Sequence, residues 1–90
     1  MQLARLYRIR GLVQGVGFRY FTQRTALRLG VQGWVRNLPN GDVEVQAEAS
    51  TTTLEQFHAE LKRGPRSAEV HEVIEQEIEP AHHSSFHIRN

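Results

Sequence analysis

Apolar residues recur along this chain with two different periods, and the switches between them mark out its elements. From Leu6 to Val13, Tyr7, Ile9 and Val13 fall on one face and Arg8 and Arg10 on the other, the alternation of a strand. Gln14-Gly15-Val16-Gly17 interrupts it with two glycines, which admit positive φ in a tight loop. From Phe18 to Leu29 the spacing lengthens. Phe18, Phe21, Thr22, Thr25, Ala26 and Leu29 line one stripe of a predicted helix, Gln23, Arg24 and Arg28 lie away from it, and Gly30 supplies a stop. Val31 to Leu38 reads as a second strand with Val31, Gly33 and Val35 on one face. Pro39-Asn40-Gly41-Asp42 is a turn containing the Asn-Gly hairpin signal. Val43 to Ala49 alternates most cleanly, apolar in and polar out.

The second half follows the same logic. Thr52-Thr53-Leu54-Glu55 has the spacing of a capping box, and the helix it opens carries Leu54, Phe57, His58 and Leu61 on its buried stripe until Gly64-Pro65 ends it. Val70 to Ile78 is a less regular strand in which a bulge is expected. Pro80 to Ser84 is a loop, and Phe86-His87-Ile88-Arg89 is a short closing strand. The order β-α-β-β-α-β plus a terminal strand describes two split βαβ halves. It predicts an α+β fold with two helices on one face of a mostly antiparallel sheet. No linker or low-complexity segment divides the chain, so residues 1–90 are expected to form a single domain that buries about 60–65% of its unfolded surface.

Charge changes the picture. The net charge is +1, yet residues 1–41 hold Arg5, Arg8, Arg10, Arg19, Arg24, Arg28 and Arg36 with no acid, lysine or histidine, while all ten acids lie in residues 42–90. The asymmetry points to an anionic ligand for the first half, although most of these arginines read as solvated. The absence of cysteine excludes disulfides, thiolate metal sites and a cysteine nucleophile. No apolar run is long enough to span a bilayer and the N-terminal residues lack a secretory core, so a cytoplasmic location is expected.

The stretch Gly11 to Arg19 combines a strand, a glycine loop and a helix start. Amides at a helix N-terminus have no internal acceptor, the helix dipole favours an anion there, and glycines let the backbone curl around a phosphate-sized group. Arg19 in the first turn costs the helix a few tenths to about 1 kcal/mol, a cost that a bound anion reverses. Its planar fork can grip two oxygens at once. The loop is neither a Walker loop, because no Lys-Ser/Thr follows, nor a dinucleotide fingerprint, because Tyr20 stands where a third glycine belongs. On loop chemistry alone, an anion cradle and a plain turn with an exposed arginine weigh equally. Asn37 falls on the face of Val31, Gly33 and Val35. The crossover makes the first two strands parallel, so it projects toward the glycine loop. By position alone, a carboxamide that caps the hairpin is slightly ahead.

These residues carry a resemblance. Gly11-Leu12-Val13-Gln14-Gly15-Val16-Gly17-Phe18-Arg19, with Gly33-Trp34-Val35-Arg36-Asn37-Leu38-Pro39-Asn40-Gly41-Asp42-Val43, resembles the acylphosphatase family. The likeness extends to Gly64 to Val70 and to Phe86 to Arg89, nearly the whole chain. It implies a ferredoxin-like βαββαβ sandwich and hydrolysis of the carboxyl–phosphate bond of acyl phosphates without metal or organic cofactor. Carried over, Gln14, Gly15, Val16, Gly17, Phe18 and Arg19 would cradle the phosphoryl group, Arg19 would bind it catalytically, and Asn37 would orient the attacking water. The terminal Asn90 departs from members that end on an aromatic residue.

The residue inventory suits that chemistry. An acyl phosphate releases a carboxylate whose conjugate acid has a pKa near about 4, so no general acid is needed. Residues 1–41 offer no Asp, Glu, His, Cys or Lys for an ester substrate that would need one. Phosphate and sulfate, as mimics of the phosphoryl group, are expected to inhibit, and a monomer is expected. Other features read as structural. Phe18, Phe21 and Leu29 are core, His58 is half-buried packing, Trp34 packs under a long side chain or is exposed, and the adjacent His82 and His83 lack further spaced metal ligands. A nucleic-acid module of the same topology displays aromatic residues on its central strands. Here Asp42, Glu44, Gln46 and Glu48 are expected on the open face, where acids repel phosphate, so no nucleic-acid partner is expected.

Overall fold

A computed structural model describes residues 2–90. The elements follow in the order β1 (Leu3–Leu12), α1 (Phe18–Leu29), β2 (Gln32–Asn37), β3 (Val43–Ala49), α2 (Thr51–Arg63), β4 (Glu69–Ile78) and β5 (Phe86–Ile88). They form one five-stranded sheet of order β4-β1-β3-β2-β5, antiparallel except for the β2–β5 pair. This is the ferredoxin-like arrangement with an added edge strand.

Register explains the core. Tyr7 and Val35 both pair with Val45, and Ile9 pairs with Val43, so one face of three adjacent strands is apolar and fully buried. Phe18, Leu54, Phe57 and Leu61 close it from the helices and Phe86 from β5. Tyr7 stands edge-on to Phe57, which stands edge-on to Phe86, at 6.1 and 6.3 Å. Burial pushes the Tyr7 hydroxyl up to about 12. On α1, Thr22 and Thr25 are buried because each hydroxyl donates to the carbonyl one turn back, Phe18 and Phe21 respectively, at 2.9 Å.

The irregular fourth strand does contain a bulge. Arg10 pairs with Glu72 but Gly11 with Val70, which leaves His71 as the extra residue. Gly11 is required there, because a Cβ would lie 2.1 Å from the Glu69 carbonyl oxygen.

Two expectations are corrected. The α2 cap is Ser50, whose Oγ accepts from the Thr53 N–H at 3.3 Å, not a box opened by Thr52. One residue separates the end of β3 from the start of α2, which leaves Ser50 alone to cap the helix and carries Glu55 past the first orphan amides.

The second correction concerns the face away from the helices. Asp42, Gln46 and Glu48 are buried there, not open. The connection from β4 to β5 folds over Glu48. Its Oε2 accepts from the Ala81 N–H at 2.5 Å and from Gln46 Nε2 at 2.8 Å, and its Oε1 accepts from the His83 N–H at 3.1 Å. His82, between the two donating residues, has φ 60°, the left-handed turn that aims neighbouring amides at one anion. Burial alone would raise the Glu48 carboxyl; the bonds from Ala81, Gln46 and His83 outweigh it and hold the group below the ordinary glutamate value. Asp42 lies against Arg8 at 3.5 Å and Asn40 Nδ2 at 3.1 Å. Trp34 is half-buried beneath two guanidiniums, with Arg89 at 4.6 Å and Arg36 at 5.3 Å from its ring centre.

Candidate active site

Both β1 and β2 run antiparallel to β3 between them, so their C-terminal ends meet at one edge. The loop after β1 and Asn37 at the end of β2 are neighbours for that reason.

The loop is built from two kinds of residue. Gly15 and Gly17 have φ 76° and 78°, and a Cβ at either would meet nothing within 4 Å. They are there for backbone conformation, not for lack of room. The other loop residues are anchors. Val13 is buried and Val16 packs on the core. Gln14 Nε2 donates to the carbonyls of Leu38 and Asp42 at 2.8 and 2.9 Å, tying the loop to the β2–β3 turn. The Phe18 ring is buried, 5.8 Å from that of Phe21.

Gly17 is the N-cap of α1 in left-handed geometry, with no side-chain cap and no acid in the first turn. The first intrahelical bond runs from the Phe21 N–H to the Gly17 carbonyl at 3.0 Å. The amides of Phe18, Arg19 and Tyr20 precede it and have no acceptor within the helix. Arg19 leaves this turn half-buried, with Nη1 donating to the Arg89 carbonyl at 3.4 Å.

A cavity of about 260 Å³ opens here, bounded by Gly15, Gly17, Phe18, Arg19 and Asn37 together with Val13, Tyr20 and Ile88. Arg19 is the one charged side chain on its wall. Among the expected site residues, Gln14 and Val16 do not line the cavity: the Gln14 side chain bonds the β2–β3 turn and Val16 packs on the core. Three lining residues were not anticipated. Tyr20 follows Arg19 in the first helical turn and Val13 immediately precedes the loop, so adjacency was an available signal. Ile88 arrives through the parallel β2–β5 pairing, for which the sequence carries no local mark.

The acylphosphatase family model matches residues 5–88. The chain belongs to the acylphosphatase family. An acylphosphatase of Pasteurella multocida strain Pm70 is 57% identical over 75 residues, 83% of each chain. The structure of an acylphosphatase from Coxiella burnetii superposes with a TM-score of 0.94 at 34% identity, covering 98% of this chain and 93% of that one. The acylphosphatase from Bacillus subtilis gives 0.93 at 35% identity over the whole of both chains. The cavity wall of this acylphosphatase combines the start of α1 with one guanidinium, one carboxamide and an apolar margin. Among the described residues, no three or more His, Asp or Glu cluster as a metal site, and no helix is long and apolar enough to cross a membrane.

Proposed function

We propose that this acylphosphatase hydrolyses the carboxyl–phosphate bond with the backbone of residues 14–19, the Arg19 guanidinium and the Asn37 carboxamide. The observation that carries this reading is the convergence of Gly15, Gly17, Phe18, Arg19 and Asn37 on one cavity. The loop amides and Arg19 neutralise the phosphoryl oxygens as charge moves onto them, and Asn37 holds a water in line with the departing carboxylate. The leaving group is stable unprotonated, so the wall needs no acid. With no carboxylate or imidazole on that wall, the water passes its proton to a phosphoryl oxygen of the substrate. Val13, Tyr20 and Ile88 form the side on which the acyl group rests.

The test is hydrolysis of acetyl and benzoyl phosphate by the purified protein, with and without a chelator. Turnover insensitive to chelator and competitively inhibited by phosphate and sulfate is expected, with a rate profile flat from about pH 5 to 7 apart from substrate ionisation. Dependence on an enzyme group in that range overturns the proton route. We further propose a cytoplasmic monomer that takes small acyl phosphates and no nucleic acid. The central strands β1 and β3 turn Leu6, Arg8, Glu44 and Gln46 to the face away from the helices, and Trp34 of β2, beside Gln46 on that face, is covered by Arg36 and Arg89, so no bare ring is offered for a base to stack on.

A further inference from the structure

We infer that Glu48 is a positioning residue for the active site, because its carboxylate holds the connection to β5, which presents Ile88 to the cavity and is followed by the Arg89 carbonyl that accepts from Arg19. This rests on the reading of Arg19 and the glycine loop as the phosphate site.

The links are continuous. β5 is three residues long and lies at the sheet edge, with β2 as its one strand partner. Three bonds hold its backbone besides the ladder: the Gly33 N–H to the Ser85 carbonyl at 2.9 Å, Gln23 Nε2 to the Phe86 carbonyl at 3.3 Å, and the Arg89 N–H to the Val35 carbonyl at 2.8 Å. Its exit forms part of the site, with Ile88 on the cavity wall and the Arg89 carbonyl accepting from Arg19. Its entry is pinned by Glu48, which takes the Ala81 and His83 amides from the opposite face of the sheet. The ladder, these bonds and the buried Phe86 ring hold β5, and at three residues the strand is short enough for the anchor at its entry to add to how long it stays docked.

A glutamine at position 48 keeps the shape but turns one acceptor into a donor. It cannot satisfy Ala81, His83 and Gln46 together. The connection loosens, β5 follows, and Arg19 loses the carbonyl that orients it. The undocked state binds phosphate poorly, whereas saturating substrate restores the docked one, so the loss falls on binding constants and little on the rate at saturation.

Two measurements test this. In the full-length Glu48→Gln protein, the KM for acetyl phosphate and the inhibition constant of inorganic phosphate rise together by about fivefold, the low end of coupling between sites, while kcat stays within about twofold. A merely structural role would reduce the folded fraction, and so kcat, without moving either constant; both unchanged in a folded variant overturns the inference. The second measurement needs no variant. Coupling is reciprocal, so saturating inorganic phosphate slows amide exchange at Ala81 and His83 in the unmodified protein by about the same factor. Phosphate bound without that protection overturns the coupling alone. Failure of phosphate to bind at all overturns the site reading, and the coupling with it.

Discussion

Arg19 occupies a place that a helix disfavours for a cation, at an N-terminus with no cap and no acid. A bound phosphoryl group turns that cost into attraction. Arg19→Ala is expected to lower kcat/KM for benzoyl phosphate by about 100- to 1,000-fold, the range for loss of a preorganised donor, with circular dichroism unchanged. Arg19→Lys restores little of it, because an ammonium lacks the planar fork. On the proposed roles, Asn37→Ala is expected to cost turnover on a similar scale while phosphate inhibition persists, because the carboxamide would act on the water. Retained inhibition with lost rate separates the two roles. Glu48 sets a different expectation. Its carboxyl is held below the ordinary glutamate value of 4.5, with His83 as the titratable neighbour across the contact. The stabilisation it gives is thus complete above the unfolded value and is lost as pH falls through the lower folded one. Melting temperatures followed downward from about pH 5 should fall steeply for the native chain and less so for Glu48→Gln.

At the scale of elements, the two candidate caps of α2 are distinguishable. Ser50→Ala is expected to cost about 1 kcal/mol in urea denaturation, and Thr52→Ala within about 0.5 kcal/mol of nothing. The opposite ranking would restore the box at Thr52. All seven elements, the split topology, Gly30 and the bulge were legible in the sequence, because period, glycine and hairpin signals are local. The cap was misplaced because Ser50 and Thr52 are both acceptable cap residues, and only the end of β3 chooses between them. The open face was misjudged for a related reason. Alternation says that Gln46 and Glu48 point away from the helices, but not that a loop more than thirty residues later in the chain covers them. In the site, Arg19 and Asn37 stood out because each breaks a local preference. Ile88 obeys every local preference and was therefore silent.

Over the whole molecule, the arginines sort themselves. Arg5, Arg8, Arg10, Arg28 and Arg36 lie within 3.5 Å of Glu75, Asp42, Glu72, Glu60 and Glu44, so five of the seven, most of which read as solvated from the sequence, are ion-paired. Among the described residues, Arg19 and Arg24 have no carboxylate partner; Arg24 lies 5.2 Å from the Tyr20 ring centre. Most of the pairs are exposed and individually worth little. Raising salt to about 1 M is therefore expected to move the melting temperature by only a few degrees, while kcat/KM for a dianionic acyl phosphate falls several-fold as the field of the uncompensated arginines is screened. Stopped-flow rates and thermal scans across one salt series check both.

The division of charge along the chain also bears on how the fold is reached. Each arginine of residues 1–41 that forms an ion pair finds its acid beyond residue 41, since none exists nearer. While only the leading half has been synthesised, it is a polycation whose side chains repel one another, and no premature contact within it is rewarded by charge. Attraction begins when the trailing half appears, and β1 can then satisfy Arg8 and Arg10 only by accepting β3 and β4 as neighbours. The charge pattern thus biases β1 toward partners that have yet to be made.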